Sequence, residues 1–161
     1  MGKYIKYSVV SFILIIIQSQ IMRLLSLEGI TPDLLTIWII FLALRWGQLS
    51  GMLWGFGIGL LFDVTTGNFI GLSALTKTIC GFVAGYFFNE NKTMITLGSY
   101  RFVLIVLIVS LIHNTIYFII FTQGSDIGLL RALFKIGLAT TLYTASISFL
   151  QMFIFSRKSL N

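Results

Sequence analysis

Residues Phe102 to Phe121 read FVLIVLIVSLIHNTIYFIIF, with no lysine, arginine, aspartate or glutamate. A helix of about 20 residues is about 30 Å long, which matches the hydrocarbon core of a bilayer. The apolar residues run without alternation, so a strand of a transmembrane barrel is excluded. In lipid a backbone must satisfy its own polar groups, and a helix does so within one segment. This stretch is therefore read as a membrane-spanning helix.

Working outward, five further apolar stretches appear on either side. The expected spans are Tyr7–Leu27, Pro32–Leu44, Gln48–Thr66, Phe69–Phe88, Phe102–Thr122 and Lys135–Phe155. Together they make residues 1–161 a single all-α integral membrane domain, a six-helix transmembrane bundle. The second span has a marked start: Thr31 as N-cap, Pro32 at the first helical position, and Asp33 at the positive end of the helix dipole. Asp126 to Phe134 is expected to lie as a short helix along the interface. Only 10% of the 161 residues are charged, against about 25% in soluble domains. The longest loop, Asn89 to Tyr100, is too short to hold a core of its own.

The net charge of +6 lies in short loops and tails, where it sets topology rather than binding nucleic acid. Lys3, Lys6, Arg45, Lys92, Arg101, Arg157 and Lys158 fall on one side. Arg23 and Arg131 fall on the other. The asymmetry predicts both termini in the cytoplasm. Lys3 and Lys6 precede an apolar run without a small-x-small cleavage site, so the first helix is expected to be uncleaved. One histidine and one cysteine, Cys80 in an apolar stretch, provide no metal-ligand set and no disulfide within the chain. With no nucleotide-binding loop and no paired catalytic carboxylates, no cofactor is expected, and binding is favoured over catalysis.

The strongest local pattern is a glycine ladder. Gly47, Gly51, Gly55 and Gly59 recur every four residues, and Gly81 and Gly85 repeat the spacing. Such a stripe lets two helix backbones approach closely. It serves either packing within the chain or docking of a partner's membrane helix. Asp63 and Lys77 both lie toward the outer leaflet, and the hairpin between them is short, so they are expected to form an intramembrane pair. His113 and Asn114, in mid-helix, are expected to hydrogen-bond across helices. Ser73 with His113 would be the dyad of an intramembrane hydrolase, without the backbone context that chemistry needs. Arg131 and Lys135 share one helix face near the outer headgroups.

Pro32-Asp33-Leu34-Leu35, then Leu42-Ala43-Leu44-Arg45-Trp46-Gly47, then Gly51-x3-Gly55-x3-Gly59-Leu60-Leu61-Phe62-Asp63, then Gly67 and Gly71-Leu72 together resemble the MreD family. Pro32, Arg45, Gly47, the ladder, Asp63, Gly67 and Gly71 are the family-like positions. The resemblance implies a non-enzymatic scaffold subunit of the rod complex, or elongasome, in the bacterial cytoplasmic (inner) membrane. It implies association with MreC, and indirectly with MreB filaments, RodA and a class B penicillin-binding transpeptidase. It also implies a fold similar to the substrate-binding subunits of energy-coupling-factor transporters. A second function is compatible with the same size and span count: a small-molecule substrate-binding subunit of a vitamin transporter of that kind. That reading requires an outer-facing polar cavity, to which Asp63, Lys77 and His113 would contribute.

Overall fold

The computed structural model describes residues 2–21, 30–67, 69–124, 130 and 132–159. These residues are helical, with no strand among them. α1 spans Gly2–Ile16 and runs on through a wide π turn, Ile17–Ile21. α2 spans Leu34–Trp46, α3 Gln48–Thr66 and α4 Leu72–Gly85. A short α5, Thr93–Leu97, lies in the loop before α6, Tyr100–Phe121. A second π turn, Ala132–Gly137, leads directly into α7, Leu138–Ser159. Arg23, Arg131 and the first part of the expected interfacial helix at 126–134 lie outside the described residues.

Three helical segments are long and apolar enough to cross a membrane: Gln48–Thr66, Tyr100–Phe121 and Ala132–Ser156. Three apolar ones are shorter: Tyr4–Gln20, Leu34–Trp46 and Leu72–Gly85. α2 tolerates its 13 residues because it is surrounded by protein. Leu35, Ile39, Ile40, Leu42 and Ala43 are all fully buried. The outside is the reverse of a soluble surface. Phe12, Leu53, Phe56, Leu104, Leu142 and Phe153 are all more than half exposed, as a lipid-facing belt requires.

The starts of α2 and α4 differ from the sequence reading for one reason. Asp33, not Thr31, caps α2: its Oδ1 accepts the Thr36 N–H at 2.9 Å and its Oδ2 the Thr36 hydroxyl at 2.7 Å. Helix α4 begins at Leu72 rather than Phe69, because Gly71 adopts φ +100 and a carboxylate beyond it holds the first N–H groups. In both cases an acid, half-buried Asp33 or buried Asp63, sets the helix start.

The broadest contact in the bundle joins α3 to α4. A Cβ at Gly59 would fall 2.6 Å from the Ala74 Cα, and one at Gly51 would fall 2.8 Å from the Gly81 carbonyl oxygen. A Cβ at Gly55 would strike the Lys77 carbonyl, one at Gly81 the Gly51 carbonyl, and one at Gly85 the Gln48 Cα. Bare backbone meets bare backbone over the whole contact, where dispersion replaces the hydrophobic effect that lipid removes. Gly47 is not part of this seam. It joins α2 to α3 at φ +87 beside the Phe88 ring, a conformation that favours glycine. Gly57 faces open space.

This geometry separates two substitutions that are alike in composition. Gly55→Leu has to push α3 off the Lys77 backbone and is expected to cost at least about 1–3 kcal/mol, the usual range for overpacking. Gly57→Leu has nothing to displace and is expected to be neutral within about 0.5 kcal/mol. Thermal unfolding of the two variants in the same detergent checks the difference.

Candidate functional site

Successive helices run back and forth, so their ends collect at two poles. Gly85 meets Gln48, Gly98 meets Ser156, and Thr93 donates to the Leu44 carbonyl at 3.3 Å, all at the pole that holds both termini. The opposite pole gathers the C-terminal part of α1 with the starts of α2, α4 and α7 and the ends of α3 and α6. Buried polar side chains concentrate there.

Asp63 sits at the end of α3 with no exposed surface. Its carboxylate accepts the Gly71 N–H at 2.9 Å, the Ser73 N–H at 3.1 Å and the Ala74 N–H at 3.2 Å. These are the orphan donors of the α4 N-terminus, and an anion is also favoured there by the helix dipole. Gly67 ends α3, its N–H bonding the Asp63 carbonyl at 3.0 Å. The intervening turn is thus folded back onto the acid it follows.

Lys77 is one turn further along α4 and only 2% exposed. It does not pair with Asp63, contrary to the sequence expectation. Its ammonium donates to Asp33 Oδ2 at 2.6 Å and to Thr36 Oγ1 at 3.2 Å, with the Phe62 ring 5.9 Å away. The physical reason is that both Asp63 oxygens are already taken by backbone N–H groups, whereas Asp33 stands at a helix start that faces α4. Gln18 braces that start from α1: its Oε1 accepts the Leu34 N–H at 3.0 Å and its Nε2 donates to the Pro32 carbonyl at 2.9 Å. Thr144 on α7 accepts the Asp33 N–H at 3.0 Å. Four helices therefore meet on one carboxylate and its backbone.

His113 on α6 points its Nε2 at the same Asp33 oxygen, 3.7 Å away, too far for a hydrogen bond, and this buried nitrogen has no partner among the described residues. Asn114 does cross between helices, donating to the Gly137 carbonyl at 3.2 Å and to Thr141 Oγ1 at 2.8 Å. Ser73 and His113 share a wall, but no hydrogen bond joins them; Ser73's backbone is instead held by Asp63. Arg45 lies at the other pole, its guanidinium over the Tyr7 and Phe41 rings.

These groups enclose a cavity of about 330 Å³. Asp33, Lys77, His113, Gln18, Ser73 and Asn114 give it polar walls, and Tyr117, Phe118 and Phe121 form an aromatic side. A hollow of about 480 Å³ between α1 and α3 is larger, but its lining is apolar apart from Ser8 and Ser11. The polar cavity is the candidate site on chemical grounds. Among the described residues, no cluster of histidine, cysteine and carboxylate suits a metal ion.

The sequence placed Asp63 and Lys77 toward this pole and His113 in mid-helix, but missed Asp33 as the partner and Gln18 and Tyr117 as wall residues. Asp33-x-x-Thr36 followed by an apolar helix was the available signal for a buried acid. Removing one member of a buried ion pair costs about 3–5 kcal/mol, while replacing both is often nearly neutral. Lys77→Met is therefore expected to destabilise by about that amount, with Asp33→Asn restoring most of the loss. Asp63→Asn in the same background is expected to restore none of it. Unfolding of the three variants in detergent distinguishes the two acids.

Comparison with known proteins gives one family. Residues 3–156 match the family model described as rod shape-determining protein MreD. No curated protein and no solved structure matches the chain. With nearly the whole length covered, this chain is a member of the MreD family of cell-shape membrane proteins.

Proposed function

We propose that the chain is a non-catalytic binding subunit of the rod complex, and that it spans the cytoplasmic membrane six times with both termini inside. Its direct partner is MreC; through MreC it joins MreB filaments, RodA and a class B penicillin-binding transpeptidase to organise lateral wall synthesis and rod shape. The family assignment supports the cell-shape role. The basic residues gathered at the terminal pole support the orientation. That orientation turns the polar cavity toward the periplasm.

The cavity is the observation that carries the binding role. The glycine faces that would have suited a partner helix are consumed between α3 and α4. What remains open is a preformed hollow whose charged groups are pinned by hydrogen bonds from several helices. A rigid polar hollow with an aromatic side recognises a partner's membrane-proximal segment at little ordering cost.

Filling the hollow tests this directly. Thr140, half-buried, lines it, so Thr140→Trp is expected to lower co-purification with MreC at least tenfold and to round the cells of a rod-shaped host. Leu104, 59% exposed on the lipid side, serves as the control, and Leu104→Trp is expected to change neither. Full MreC recovery with a normally inserted Thr140→Trp protein would remove the cavity from the interface.

A further inference from the structure

The cavity walls are unbalanced in hydrogen-bonding terms. Asp33 accepts on both oxygens: Oδ1 takes the Thr36 N–H, and Oδ2 takes both Lys77 and the Thr36 hydroxyl. Lys77 has three N–H groups and spends two of them, on Asp33 and Thr36. Gln18 spends one of its two amide N–H groups, on Pro32. Ser73 and Tyr117 line the same space. An occupant therefore meets donors that lack acceptors.

Charge narrows the class further. Asp33 and Lys77 cancel, and Asp63 is committed to the α4 N-terminus. His113 Nε2 stands 3.7 Å from Asp33 with no partner, the geometry of a neutral imidazole. A charged one at that range would close to a bond of about 2.7–2.9 Å. An anion arriving beside Lys77 would leave the site with one uncompensated negative charge, which a buried site does not tolerate. The other titratable groups around His113 cannot supply the missing positive charge. Tyr117 stacks on its ring at 6.0 Å on α6, Cys80 is a buried thiol on α4, and Lys135 at the start of α7 has an interaction of its own. Among the described residues, His113 is the unpartnered base that can take up a proton.

We propose that the cavity is a binding site for a carboxylate group held by Lys77, and that the carboxylate enters together with one proton that ends on His113. The imidazolium then closes on Asp33, while the Lys77 ammonium turns its remaining N–H to the ligand. The proton comes from water at the cavity mouth, so the site gains one negative and one positive charge and stays balanced. An acidic side chain of a protein partner and a free small carboxylate share this chemistry. The inference rests on reading the cavity as the partner-facing site and adds the chemistry of what enters it.

The chain has one histidine, so isotope-labelled histidine gives one imidazole signal in the full-length protein in nanodiscs. Titration with sodium propionate is expected to move that signal to the imidazolium position. Affinity should rise about tenfold for each unit of acidification while one proton is taken up per anion. Propionamide, the neutral analogue, is expected to leave it unmoved. His113→Gln is expected to make propionate binding weak and independent of pH, read by calorimetry in two buffers of different ionisation heat. Lys77→Met is expected to abolish it. A blocked glutamyl amide binding at least tenfold tighter than propionate assigns the source to an acidic side chain; equal binding assigns it to a free carboxylate. Propionate binding with an unchanged imidazole signal, or no binding at any pH, overturns the inference. MreC co-purification remains a separate readout, so this inference can fail while the binding role stands.

Discussion

The contact between the bare backbones of α3 and α4 is the constraint from which the rest follows. Gly51, Gly55 and Gly59 let α4 lie so near that the Lys77 and Gly81 backbones touch α3 directly. At that distance the short connection at 67–71 can fold back, and the α4 N-terminus lands on Asp63. The same placement turns Lys77 inward, under Asp33 and Thr36, instead of toward lipid. With a wider interhelical gap, the ammonium would lose its partner and Asp63 would lose its donors. The seam and the buried charges are therefore one construction, in which dispersion between glycines holds the polar groups where they satisfy each other.

The two acids solve the same problem in different ways. An ionised carboxylate away from water needs several donors or a counter-charge. Asp63 uses backbone N–H groups alone and gains the favourable end of a helix dipole. Asp33 also caps a helix, but one of its oxygens remains for Lys77. Asp63 is therefore structural, while the Asp33–Lys77 pair borders open space and can respond to an occupant. The wall around the pair is stiff because α1, α2, α4 and α7 each place a bond on it.

How much of this the sequence revealed depends on the range of the signal. Apolar runs such as Phe102 to Phe121 and the four-residue glycine repeat are local patterns, and each maps directly onto a helix or a close contact. The choice between Asp33 and Asp63 as partner of Lys77 is not local. Asp63 is nearer in sequence to Lys77, but the turn after it spends the carboxylate on Gly71, Ser73 and Ala74. No periodicity records that competition. Gln18 and Tyr117 were hidden for a similar reason: each lies in a largely apolar helix, and the meeting of helix ends gives them a shared wall. The starts of α2 and α4 were misplaced because an acid, rather than a change in hydropathy, set the boundary.

The composition of the cavity wall suits recognition of an occupant. Catalysis by nucleophilic attack needs a base within hydrogen-bond reach of the nucleophile, and no such bond links His113 to Ser73 in this structure. Donors fixed around a hollow, with aromatic rings at one side, instead favour an occupant that brings acceptors and some apolar surface. Because these donors are already fixed by several helices, little ordering remains when the occupant arrives. A site built this way offers an occupant a charge-balanced seat. Its specificity comes from the requirement that whatever enters must leave no buried charge unpaired.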